Sequence, residues 1–458
     1  MTARHSKLLE HARAIWQAGV DAVAPGRLMK AALAVRGHAL CAGTLRLPLD
    51  EIGSIIVVGT GKAGAAMSRA AEEILGDRVM AEKNLRGCVN VLDRCVVPLR
   101  RIRLHGSRAA PDNKPTAAGI AGSRRIRELL EATGPNDLAL CLISGGGSAL
   151  LPAPVAGVSL ADKQAVTSLL HACGATIGEL NCVRKHLSEL KGGGFVRVFR
   201  GRAIVSLIIS DVVGDPLDVI ASGPTAADSS TFHDALATLE KYGLLDRAPK
   251  SVRDHLELGR AGDRPETLKR LPKHVTNCII GNNATALAAA ERAARRLGYR
   301  ALNLSSFIEG DSREVGTVLA GIARGVRERH EPLSPPACIL SGGETTVALG
   351  PEHGLGGRNQ ELVLAAVHHL GRAGLRDIAF LSGGTDGEDG PTDAAGAVAD
   401  ELLARRAERR GLDAAQFLAR HDSYHFFEPL GGLIRTGLTD TNVMDLRVIV
   451  VGAPKPPR

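Results

Sequence analysis

The residues with chemical potential in this chain cluster where apolar runs end in glycine. In "VVGTGKAGAAM" (57–67) a lysine, Lys62, stands inside a glycine turn that opens a helix-like stretch. Free N–H groups and the helix dipole favour an anion there, and a lysine adds a full charge. "LISGGGSALL" (142–151) presents the unshielded backbone of Gly145, Gly146, Gly147 and Ser148, which reads as a nest for phosphate oxygens. The same Ser-Gly-Gly punctuation returns in "CILSGGETTV" (338–347) and "AFLSGGTDGED" (379–389), bringing Gly343, Glu344 and Gly384 to comparable positions. Carboxylates follow two such runs: Asp211 in "IISDVVGDPLDVIASGPT" and Asp386 with Asp389 in "SGGTDGEDGPTDAAGA". Carboxylates at such positions are where Mg²⁺ and its phosphates are usually met. Arg358 in "GLGGRNQELVLAAV" opens a helix and suits a carboxylate or a transferring phosphoryl group.

Each signal has a plainer reading. "GTGKAG" also satisfies the dinucleotide fingerprint G-x-G-x-x-G, which asks for an acid after the next strand. Asp93 lies far along the sequence for that role. The loop at 144–148 is neither a P-loop nor a G-x-S-x-G elbow. In "NCVRKHLSELKGGGF" (181–195) a solvated basic helix accounts for Arg184, Lys185 and His186, and Lys191 before three glycines is the preferred binding residue. Gly-Asp clusters also occur as surface turns.

The elements that must position these residues are short, nearly continuous apolar runs alternating with helix-like stretches. Such strands are covered on both faces, as in parallel sheets, and the turns above fall at their carboxyl ends, where ligands sit in doubly wound folds. The expected fold is two doubly wound, Rossmann-like α/β domains with mostly parallel sheets: residues 1–235, a connecting region 236–272, and 273–458. At 458 residues two domains are the natural division. The opening segment reads as an amphipathic helix, a mitochondrial presequence being the alternative that its Arg and Ser content leaves.

Composition narrows the partners. A formal charge of +8 is spread over scattered basic residues, with no aromatic-interleaved basic platform, so no nucleic acid is expected. No apolar run is long enough to span a membrane. Eight cysteines without a C-x-x-C pair read as thiols in a reducing, cytoplasmic setting, with neither a zinc site nor a disulfide framework.

The order of motifs, from "GTGKAG" through "APDNKPTAAG", "SGGGSALLPAP", "KHLSELKGGG", "ISDVVGDP", "GGRNQEL" and "GTDGEDGPTDAAGA" to "TGLTDTNVMDL", resembles the class II glycerate 2-kinase family, some members of which are labelled hydroxypyruvate reductases. The resemblance covers about residues 8–453. It implies ATP-dependent phosphorylation of D-glycerate on its 2-hydroxyl with Mg²⁺, in a cleft between two α/β domains. It also implies active-site roles for Lys62 and Arg358. On this reading Lys62 meets the glycerate carboxylate or the γ-phosphate and Arg358 stabilises the transferring group. The glycines of 145–147, 343 and 384 allow close approach; Asp211 and Asp386 are candidates for Mg²⁺ ligation or for orienting the substrate hydroxyl, and Asp389 is a further Mg²⁺ candidate. One departure is Arg108-Ala109 in place of the family's His-Pro, with Asp112 retained. The competing readings are an NAD(P)H-dependent hydroxypyruvate reductase and, motivated only by Arg108-Ala109, a non-catalytic sensor. A homodimer is compatible with the sequence.

Overall fold

The structure is a computed structural model and describes residues 2–109 and 114–453. It divides into two compact units, Pro25–Ile280 and a second made of Gly281–Arg458 together with Met1–Ala24.

The first unit is built on strands β1 (Ile55–Thr60), β2 (Arg86–Leu92), β3 (Ile102–Arg108), β4 (Leu138–Ile143), β5 (Ala203–Ile209) and β6 (Val275–Gly281). They form one sheet in the order β3-β2-β1-β4-β5-β6, and the pairings from β3 through β5 are parallel. Every residue of β1, β4 and β5 is buried, as the apolar runs require of strands covered on both faces. The chain winds outward from β1 to β3, then returns to place β4 on the other side of β1. This is the doubly wound order, and its switch point lies between β1 and β4, where Lys62 and the first Ser-Gly-Gly loop emerge. A separate small core joins helices Leu160–Ala172, Ile177–His186, Phe232–Lys241 and Lys250–Arg260. The segment 236–272, expected as a connection, therefore lies within this unit. Its polar composition belongs to helices with one buried stripe, Val252, His255, Leu256 and Gly259 in the last of them.

The second unit contains β7 (Arg300–Asn303), β8 (Ala337–Gly343), β9 (Ile378–Gly384), β10 (Gly396–Asp400), β11 (Leu433–Ile434) and β12 (Asp445–Val451), ordered β7-β8-β12-β9-β10-β11. Here the expectation of mostly parallel strands is corrected. Among the described residues of this six-stranded sheet only β7 and β8 pair in parallel, and β12 runs antiparallel between β8 and β9. All seven residues of β12 are buried, so its continuous apolar run reports cover on both faces and carries no information on direction. The register is informative: Gly343 and Gly384 both pair with Asp445, and Ser341 and Ser382 both pair with Arg447. Two of the three Ser-Gly-Gly strand ends thus flank the start of one strand.

Helices Ser312–Arg329 and Arg358–Gly374 contribute to the core on one side of this sheet. On the other lie helix Asn283–Arg296 and the N-terminal helix Thr2–Ala22, whose Leu8, Ala12, Ile15, Trp16 and Val20 pack against Cys338, Leu381 and Val448. Nothing local marks this attachment, which pairs segments more than 260 residues apart. Among the described residues no helix is long and apolar enough to cross a membrane.

Trp16 is 2% exposed, and its Nε1 donates to Gly383 O at 3.2 Å. Trp16→Ala removes that bond and leaves a cavity, so it is expected to destabilise the second unit by about 3–5 kcal/mol in denaturant unfolding. A loss below about 1 kcal/mol, the scale of a surface substitution, would contradict this packing role.

Candidate functional site

At the switch point of the parallel sheet, the turn after β1 and the loop after β4 are interlocked. Ser144 N donates to Thr60 O at 3.0 Å, Lys62 N donates to Gly145 O at 2.8 Å, and Ala63 N donates to Ser144 Oγ at 3.0 Å. Glycine is required at two points of this knot. Gly61 has φ +131°, and a Cβ there would collide with Ser144. A Cβ on Gly145 would collide with the carboxylate of Asp211, which follows β5. At Gly146 a Cβ would lie 3.3 Å from Lys62 Cγ, so the lysine stem runs across the loop. Lys62, the glycine loop and Asp211 are brought together.

Ser148 is the hub of the next layer. Lys191 Nζ donates to Ser148 O (2.8 Å) and Oγ (2.9 Å), Arg184 Nη2 donates to Ser148 Oγ (2.7 Å), and Ser222 Oγ lies 2.8 Å from the same oxygen. A cavity of about 640 Å³ opens here, lined by Gly146, Ser148, Lys163, Arg184 and Lys191 among others. Burial, with Arg184 and Lys163 nearby, pushes the Lys191 ammonium well below the ordinary lysine range. Lys163 is lowered to about 7 by burial and by Arg184. Lys163 escaped sequence reasoning because its helix looks solvated. The available signal was its place in the stripe Lys163, Val166, Leu170.

The basic stretch 184–186 is not a solvated face. Lys185 is buried and pairs with Asp228 at 2.7 Å and Asp218 at 3.3 Å. His186 Nδ1 contacts Cys182 O at 2.8 Å and its Nε2 lies 3.1 Å from Glu266. Arg108 ends β3 as a buried side chain, while Asp112 lies outside the described residues. Asp93 directly follows β2, nearer to a ribose-binding position than its sequence distance suggests, but its carboxylate sits against Gly106 of β3.

In the second unit the site forms around Asp445, which has no exposed surface. Arg358 grips it with Nε (2.8 Å) and Nη2 (3.0 Å) and reaches Glu344 with Nη1 at 2.6 Å. Burial opposes the guanidinium charge, but Asp445 and Glu344 raise its pKa on balance. Burial raises the Glu344 carboxyl, Asp445 adds to this, and Arg358 opposes it. Asn359 Nδ2 donates to Asp445 at 2.9 Å and to Asp389 at 3.2 Å. Asp445 was not singled out from sequence, although an acid opening the apolar run "DLRVIVV" is the mirror of an acid closing one.

Two expectations are revised. Asp389 does not fit a metal ligand, since its oxygens accept from Asn359 N (3.0 Å) and Gln360 N (2.9 Å) at the start of the Arg358 helix. Gly343 (φ +114°) and Gly384 are dictated by internal packing, since side chains there would press on the backbone of Ile308 and Glu388. Asp386 forms a local turn, accepting from Glu388 N at 3.1 Å. Among the described residues no three His, Cys, Asp or Glu side chains are grouped to hold a metal ion. Magnesium that arrives on phosphates needs only one or two carboxylates, a requirement that Asp211 beside the glycine loop fits.

Residues 11–257 match the model described as a domain of unknown function (DUF4147), and residues 337–445 match the MOFRL family. The chain is 40% identical to glycerate kinase of Homo sapiens, over 96% of this chain and 93% of that protein. It is 40% identical to D-glycerate 2-kinase of Thermotoga maritima, over 87% of this chain and 91% of that one. The crystal structure of glycerate kinase from Thermotoga maritima has a TM-score of 0.84 at 38% identity, covering 97% of this chain and 100% of that one. A crystal structure of a Pyrococcus horikoshii protein has a TM-score of 0.83 at 35% identity, covering 97% and 98%.

Burial raises the Asp389 carboxyl to about 6, against the pull of its two backbone donors. The folded state then holds a proton that the unfolded chain releases, so this group's contribution to stability falls as pH rises from about 4 to about 6. In melting experiments the difference between the wild type and Asp389→Asn should move against the wild type over that range. Parallel pH profiles for the two proteins would remove the assignment.

Proposed function

The chain belongs to the glycerate kinase family, and from that premise we propose that it transfers the γ-phosphate of ATP to the 2-hydroxyl of D-glycerate, giving 2-phosphoglycerate and ADP. The observation that carries the reading is the interlocked turn and loop at the switch point, which sets Lys62 and Asp211 against bare backbone. Phosphoryl transfer needs little covalent help from the protein; it needs placement and neutralisation of charge on phosphate oxygens. Lys62 supplies a cation that can follow an oxygen, its stem guided across Gly146. Gly145 and Gly146 add no side chains of their own, so the Asp211 carboxylate and the Lys62 stem lie directly against the main chain of the loop. Arg358 differs from Lys62 because its fork is already oriented by Asp445, so it presents a fixed charge to an anionic substrate group.

Asp211 is the residue that would meet Mg²⁺ carried by the nucleotide, with Asp386 as the candidate in the second unit. The ion would supply further neutralisation of phosphate oxygens. Arg184 and Lys191, both donating to Ser148 Oγ, extend the cationic surface beside the glycine loop.

Lys62→Ala should fold normally and lose on the order of 10²–10³-fold in kcat/KM, the usual cost of removing one charge-stabilising donor. Arg358→Lys keeps the charge near Asp445 but loses the two-pronged grip, and should lower kcat by a comparable factor. Near-wild-type turnover in both variants would sink these roles. Coupling the product to enolase tests the position of transfer: immediate consumption marks 2-phosphoglycerate, and dependence on added phosphoglycerate mutase marks the 3-isomer. Oxidation of NADH with hydroxypyruvate, without ADP release from glycerate and ATP, would favour the reductase instead.

A further inference from the structure

Lys185 and Lys191 are six residues apart and almost equally buried, at 4% and 2% exposed. Their surroundings are opposite. Lys185 faces the carboxylates of Asp228 and Asp218. Lys191 Nζ is met by Ser148 O, Ser148 Oγ and Ser222 Oγ, all neutral oxygens. Arg184 donates to the same Ser148 hydroxyl, and Lys163 Nζ is held by Leu187 O at 2.8 Å. Four cations, Lys114, Lys163, Arg184 and Lys191, line the 640 Å³ cavity, and among its described lining residues there is no carboxylate. Lys163 and Lys191 are the buried pair among them, and burying two lysines whose hydrogen-bond partners are neutral oxygens costs the apo fold stability. A site that tolerates this cost is made for an anion.

We infer that this cavity is the nucleotide pocket, with Arg184 and Lys191 taking phosphate oxygens of ATP and ADP. The inference rests on the kinase reading and assigns one of its two substrates to a place. Charge and size choose between them. D-glycerate brings a single carboxylate and three carbons, against four cations and a volume in the middle of the range for whole-ligand sites. A nucleoside triphosphate brings several negative charges and a base, and the pocket offers the base apolar surface from Pro115, Pro152 and Leu160. Gly146 and Ser148 belong to the cavity wall, and Gly146 is also the residue that the Lys62 stem crosses. The lysine turn therefore adjoins the pocket at Gly146, and on this inference the terminal phosphate lies toward Lys62.

The test is equilibrium binding of ADP, in Mg²⁺ buffer, to the whole chain. Lys191→Met keeps the stem and removes the charge. It should weaken ADP binding by at least about tenfold, the loss of one charge-assisted contact, while the KM for D-glycerate stays within about twofold. Because the apo protein then no longer buries an unmatched cation, the variant should melt at the same or a higher temperature than the wild type. A lysine needed only for structure would lower it. Arg184→Met provides an independent second variant with the same expected loss. Unchanged ADP affinity in both variants overturns the inference, as does a selective tenfold rise in the KM for glycerate, which would make the cavity the acceptor's. A wild type that neither binds ADP nor phosphorylates glycerate would instead fail the kinase reading itself.

Discussion

A carboxylate with no access to water needs partners, and Asp445 is that carboxylate for the second unit. Its charge is met by the fork of Arg358 and the amide of Asn359, two consecutive residues at the start of one helix. An ion pair of this kind is not a cheap source of stability, because desolvation offsets much of the attraction. What it does supply is geometry. Satisfying Asp445 brings the Arg358 helix to the start of β12, and β12 is flanked in register by the ends of β8 and β9. Asn359 then ties in Ser382 at 2.5 Å and Asp389, whose oxygens finish the helix start. One buried charge thus orients three strand ends, a helix and the 385–393 loop.

The first unit follows the opposite rule. In the cavity beside its switch point, Lys163 and Lys191 are held by hydroxyls and carbonyls, and the counter-charge is left to the ligand. The two arrangements suit different tasks. A prepaired arginine is rigid and costs no reorganisation when charge develops nearby, whereas unmatched lysines gain most when an anion arrives. A fold that keeps both can place local instability where binding recovers it, as functional sites commonly do.

Much of this was legible in the sequence because fully covered strands announce themselves as unbroken apolar runs. β1, β4 and β5 were readable for that reason, and so was the position of Lys62 at a carboxyl edge. Direction was not readable for β12, since cover on both faces erases the alternation that marks an antiparallel strand. The attachment of helix Thr2–Ala22 to the second unit was equally invisible, because packing across such a separation leaves no local trace beyond an amphipathic stripe. Lys163 and Asp445 were missed for a shared reason: each is a single charge whose role depends on what surrounds it in space. Arg184 was weighed as solvated, although its neighbours Lys185 and His186 are core residues. Glycerate itself is written in no residue; it entered through family likeness.

The three Ser-Gly-Gly strand ends show how one sequence feature can answer different physical demands. At 144–147 the glycines admit functional groups, the Asp211 carboxylate at Gly145 and the Lys62 stem at Gly146. At 341–343 and 382–384 they admit structure: Asn283 against Gly342, Ile308 against Gly343 and the Trp16 indole against Gly383. The serines differ in the same way. Ser144 locks the Lys62 turn by accepting from Ala63 N, while Ser382 donates to Asn359 and so supports the Arg358 helix from behind. A chain leaving a buried strand enters crowded space, and glycine is the residue that fits whichever neighbour is there. The recurrence therefore reports sheet edges, and only the charged residues around each edge distinguish a binding loop from a packing joint.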